Sequence, residues 1–97
     1  MPKSSLINKF IKLTTAGLQS IGASVTVVEE ESCVIVRDCI VDFEKDGEIQ
    51  IYEAHNPENA IMAMPSQGVV SAASYICSKI ATGLITRAIE DMENRET

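Results

Sequence analysis

His55 is the only histidine in this 97-residue sequence, and Cys33, Cys39 and Cys77 are its only thiols. A cysteine beside a histidine can make a nucleophile, because the imidazole takes the thiol proton and leaves a reactive thiolate. The hairpin read below sets Cys39 opposite Glu53, with Tyr52 beside it and His55 two residues further on. A small-molecule pocket or a minor enzymatic site has its best materials at Cys39, Glu53 and His55. Cys39 shares the strand parity of Val41, however, which places it on the core side, where a thiol behaves as a small inert apolar group.

The three thiols make neither a disulfide framework nor a zinc site. Their number is odd and no C-x-x-C pair occurs. Cys33 and Cys39 cannot bond within one extended strand, whose six residues span about 20 Å. Reduced thiols and a cytoplasmic setting are the expectation. Ser71, Ser74 and Ser78 have no histidine at a recognisable spacing, and neither a P-loop nor an H-E-x-x-H pair is present. The expectation is a protein that is not an enzyme and holds no cofactor or metal.

Carboxylates carry a second chemistry. Asp42, Glu44 and Glu48 point away from the core in the same hairpin, and Glu30 belongs to the acidic run just before it. Such a face is either a solvated surface that blocks edge-to-edge aggregation or one that attracts a basic protein partner and helps select it. The carboxylates lack the dense spacing of a calcium loop. The net charge of −6 is segregated: residues 1–22 carry +3, residues 23–60 carry −8 and the remainder −1. An acidic chain with few aromatic residues has neither the cations nor the stacking platforms for direct nucleic-acid binding.

The third pattern is a stripe of small hydroxyls. Ser71, Ser74, Ser78, Thr82 and Thr86 recur three or four residues apart, with Gly83 beside them. A solvated helix face normally carries Lys and Glu, and Ser and Thr are only middling helix formers. Small side chains let another backbone approach closely. Either the first helix of the same chain covers the stripe, or a second subunit does, or the stripe is exposed and has no role. The second reading makes Ser74, Ser78, Thr82, Gly83 and Thr86 a dimer interface, and twofold homodimers are the commonest oligomers.

These residues need elements to hold them. Leu6, Phe10, Leu13, Gly17 and Ile21 fall at helical spacing, which predicts a helix from about Ser5 to Ile21, capped by Ser4 or Ser5 and ended by Gly22. "SVTVVEE" and "CVIVRDCIVDF" read as strands. The parity of the second breaks at Arg37-Asp38, which is either a bulge or a turn. "FEKDGEIQIY" is a hairpin closed by Lys45-Asp46-Gly47, pairing Val41 with Ile51, Asp42 with Gln50 and Glu44 with Glu48. "AIMAM" is a short further strand, and a long helix follows from Val69 to about Glu93. Its apolar part, Val69 to Ile85, carries Lys79 near the middle, so no membrane span is expected. "MPKSSLINKF" lacks the apolar run of a signal peptide. The expected fold is α+β and two-layered, with an N-terminal helix, a three- to four-stranded antiparallel meander and a long C-terminal helix. Residues 1–97 form one domain, with 1–4 and 94–97 frayed.

Overall fold

A computed structural model describes residues 3–23 and 27–96. The order is helix α1 (Lys3–Ser20), strands β1 (Val27–Glu30), β2 (Cys33–Val36), β3 (Cys39–Asp42), β4 (Glu48–Glu53) and β5 (Met62–Pro65), a single 3-10 turn, then helix α2 (Val69–Glu96). The strands form one antiparallel sheet in sequence order. Both helices pack on the same face of it, as the α+β two-layer expectation requires. The sheet has five strands rather than three or four. Ser24 to Thr26, the start of the first expected strand, lie outside the described residues.

Helix α1 buries Ile7, Phe10, Thr14 and Leu18, a stripe at helical spacing. The helix already includes Lys3, so Ser4 and Ser5 lie inside it and do not cap it. Its end is a Schellman motif: Gly22 donates to the carbonyl of Gln19 at 3.1 Å and Ala23 to that of Leu18 at 2.9 Å. Gly22 takes the left-handed φ of 70° that this closure needs. Ile21 therefore falls past the helix and is exposed.

The parity break at Arg37-Asp38 is a turn. Val36 pairs with Cys39 across it, so Val34, Val36, Cys39 and Val41 all face the core. The β3–β4 register is the expected one, with Cys39 opposite Glu53, Val41 opposite Ile51 and Asp42 opposite Gln50. The ladder then opens earlier than the sequence suggested. Phe43 donates its N–H to the Ser32 carbonyl at 2.8 Å, toward β2. Glu44 donates its N–H to Asp42 Oδ1 at 2.7 Å. The expected pairing of Glu44 with Glu48 does not form, since the ladder ends at Asp42 and Gln50. Phe43 stays buried, its ring edge-on to Phe10 at 5.6 Å.

Helix α2 has 28 residues, about 42 Å of helix. Val69, Ala72, Ala73, Ile76 and Ile80 bury its inner face. α1 approaches closely beside them: a Cβ on Gly17 would lie 2.6 Å from the Cys77 sulfur. Beyond Leu84 the helix leaves the globule, and the side chains from Ile85 to Arg95 are exposed. The molecule is accordingly long, 53 × 29 × 20 Å. α2 is long and apolar enough to cross a membrane by length and composition, with 28% of the apolar stretch buried inside the protein.

Candidate functional site

The thiol–histidine group does not assemble a nucleophile. Cys39 is 1% exposed, and its weak donation goes to Asp38 Oδ1 at 3.9 Å. Burial and then the Asp38 carboxylate push its pKa up, against a smaller lowering by Lys79. His55 Nε2 instead lies 3.7 Å from Glu53 Oε2, and Lys79 Nζ lies 3.7 Å from the same oxygen. Tyr52 points to the other sheet face and donates its hydroxyl to Gln50 Oε1 at 2.8 Å. A shallow depression is walled by Arg37, Asp38, Lys79, Gly83 and Arg87, and neither Cys39 nor His55 lines it.

The acidic residues gather at one end of the outer sheet face, around the β1–β2 turn. Glu30, Glu31, Asp42 and Glu44 surround a shallow depression with Cys33 in it. The position follows from the register: Glu30 pairs with Cys33 and Cys33 with Asp42, so all three share the outward parity. Burial first, then Asp42, Glu30, Glu31 and Glu44, raise the Cys33 pKa, so four carboxylates act on one sulfur. Glu31 is a member that the hairpin reading left out of the site. Glu48 stands apart, 3.1 Å from Lys45 Nζ and accepting from Gln50 Nε2 at 3.1 Å. Those two donors, Lys45 first, lower its pKa. Among the described residues no group of three or more His, Cys, Asp or Glu is placed to hold a metal ion.

Beside the acids runs an apolar band that sequence reading missed. Val28 pairs with Ile35, Ile35 with Ile40 and Ile40 with Tyr52, all on the outer face. Strand alternation gives two faces but not which is covered, and both faces of these strands carry apolar residues.

The hydroxyl stripe lies in the open. Ser71, Ser74, Ser78, Thr82, Gly83 and Thr86 are all exposed, so α1 of the same chain does not cover them. At about 100° per residue, Ser71, Ser74, Ser78 and Thr82 share the face opposite the buried one. Gly83 is turned away from it into the depression beside Arg37, and Thr86 lies on the flank. The same outward face continues as Ile85, Ile89 and Met92, which are exposed. Lys79, Arg87, Glu90 and Asp91 all fall outside it, leaving the outward face uncharged from Ser71 to Met92. No protein-family model, curated protein or solved structure matches this chain.

Proposed function

We propose that this protein is a small, acidic, non-enzymatic interaction module, an adaptor or inhibitor of a reducing cytoplasmic setting. It works through two surfaces: the acidic end of the outer sheet face and the outward face of α2. One observation carries the reading, the uncharged exposed face along α2. A water-facing helix of an ordinary small domain carries charges there, and exposed apolar residues in a contiguous strip mark interaction sites. The acid cluster supports it. Carboxylates gathered around one depression give a field that speeds encounter with a basic protein and rejects acidic ones.

The test is capture from a cell extract by the immobilised protein and by a Glu30→Lys, Asp42→Lys, Glu44→Lys variant. Wild type is expected to retain a basic protein that elutes with salt. The triple variant should lose it while keeping its circular dichroism. Glu48→Lys alone should do less, because Lys45 already holds that carboxylate. Equal retention by wild type and the triple variant removes the acidic surface from the proposal.

A further inference from the structure

We propose that the depression between the β2–β3 turn and α2 is a binding site for a phosphate monoester. It is separate from both surfaces of the interaction reading and goes beyond it. The chain has fourteen acids and eight bases, yet three of the bases, Arg37, Lys79 and Arg87, line this one depression. Asp38 is the one carboxylate among the described residues that lines it. Lys79 Nζ also lies 3.7 Å from Glu53 Oε2. With both carboxylates counted, the site keeps one positive charge in excess, in a chain whose net charge is −6. Among the described residues no hydrogen bond or ion pair engages the guanidinium of Arg37 or of Arg87. Their donors are left for a ligand.

Two residues of the depression are poor choices for the fold alone. Gly83 interrupts a helix of 28 residues, and only proline is a weaker helix former than glycine. Packing within the chain does not require it, since a Cβ there would meet nothing within 4 Å. Its place in the depression accounts for it. Lys79 and Arg87 lie about one turn to either side on the same face of α2, and the bare backbone between them lets an anion approach the helix closely. Arg37 holds a left-handed φ of 56° at the first position of a two-residue hairpin, where glycine is usual. Glu31 breaks the same rule in the β1–β2 hairpin, and it lines the acidic depression. Each strained turn thus places a charge at a charged depression. Local rules broken without a packing gain concentrate at functional sites, and here Gly83 and Arg37, from separate elements, meet in one place.

The chemistry of the lining selects the ligand. A guanidinium presents a planar fork that holds phosphate oxygens in pairs, and an ammonium adds a point charge. A phosphate monoester carries about −1.5 to −2 charges at neutral pH and offers three terminal oxygens, one for each cation. A carboxylate has too few oxygens and too little charge for three cations. Ile80 is buried and Leu84 half-buried in the same depression, an apolar floor for the carbon part of the ester. The acid cluster keeps long polyanions away. Cys33, which sits in that cluster, is four residues from Arg37 along the chain, about 13 Å of strand, beyond the screening length of about 8 Å in physiological salt. A single phosphate at Arg37 does not feel those carboxylates, whereas a nucleic-acid strand long enough to reach them does.

The test is a titration of amide NMR spectra with glycerol 3-phosphate at fixed ionic strength, beside vesicles of phosphatidylcholine containing phosphatidic acid, whose headgroup is also a phosphate monoester. Saturable shifts should appear at the amides of Arg37, Asp38 and Gly83 and not at Glu31 or Cys33. Arg37→Gly and Arg87→Gln should each weaken binding by at least about tenfold, and Asp38→Asn should tighten it by about threefold. Gly83→Leu should abolish binding with circular dichroism unchanged, because the position has open space for a side chain. Glycerol 3-phosphate binding without vesicle binding assigns a soluble ligand. Vesicle sedimentation that Arg87→Gln removes, without glycerol 3-phosphate binding, assigns a lipid headgroup. Acetate binding as tightly as glycerol 3-phosphate would overturn the assignment to phosphate. No response in either arm, or responses that Arg87→Gln and Gly83→Leu leave unchanged, would overturn the site.

Discussion

Gly17 and Cys77 meet where the two helices pack tightly, with no room for a further atom between them. A methyl on Gly17 would meet the Cys77 sulfur at 2.6 Å, and the sulfur already reaches the Thr14 carbonyl at 3.6 Å. Adding volume to such a contact costs about 1–3 kcal/mol, while alanine for glycine in a helix gains about 1 kcal/mol. Gly17→Ala should therefore be costlier by about 1–3 kcal/mol in wild type than in a Cys77→Ala background, read as a difference of urea midpoints. No such difference would mean the helices shift freely at this point. The thiols also set a pH dependence. Burial raises the pKa of Cys33, Cys39 and Cys77 above the ordinary 9.0. The folded state then holds these protons more tightly than the unfolded chain. Their contribution is intact below pH 9.0 and is lost as pH rises through the raised values. Urea unfolding at about pH 8 and about pH 10 should show a smaller alkaline loss in Cys39→Ala than in wild type. An identical loss in both would leave Cys39 without a part in it.

The hairpins explain which elements could be read from sequence and which could not. The β3–β4 register was legible because only one alignment keeps Val41 and Ile51 on the core face, and Gly47 supplies the left-handed φ of 78° that the turn needs; the loop is longer than the expected Lys45-Asp46-Gly47, since the ladder ends at Asp42 and Glu48 donates its N–H to the Lys45 carbonyl at 3.2 Å. The β1–β2 and β2–β3 turns carry no such marker. Their left-handed positions are held by Glu31 at φ 45° and Arg37 at φ 56°, residues that ordinarily avoid that region. This is why Arg37-Asp38 was equally a bulge or a turn, and why the number of strands fell short. Glycine removes the steric cost of a left-handed residue, about 1–2 kcal/mol, and returns part of it as chain entropy. Glu31→Gly and Arg37→Gly should each raise the unfolding free energy by up to about 1 kcal/mol, measured by denaturant titration. A loss of stability at either position would mean that its side chain contributes contacts outweighing the strain. The acid cluster was half legible for the same reason: Asp42 and Glu44 followed from parity and Glu30 from the acidic run before the hairpin, but Glu31 joins only because of the turn. Glu48 shares their parity, and the ladder opening after Asp42 separates it from Glu44.

At the scale of the whole molecule, the dominant fact is a helix too long for its globule. Val69, Ala72, Ala73, Ile76 and Ile80 are buried in the core, while residues from Ile85 to Arg95 are exposed. The sequence marked this end as charged and fraying, because "AIEDMENRET" shows its acids more plainly than Ile85, Ile89 and Met92. Helicity there draws nothing from packing within the chain, and a helical end without packing is only marginally stable in water. Amide hydrogen exchange separates the two regimes, because local opening reports local stability. In a monomer, amides of residues 72–80 should be protected and those of residues 86–95 should exchange fast at every protein concentration. If α2 pairs with a second copy, mass action stabilises the projecting end. Protection at residues 86–95 should then rise with protein concentration, while protection at residues 72–80 rises far less. Ile85→Glu should abolish the rise without altering the protection of residues 72–80 at low concentration. Concentration-independent protection of the projecting end would mean that the helix is stable alone, and that its apolar strip is not kept there by self-association.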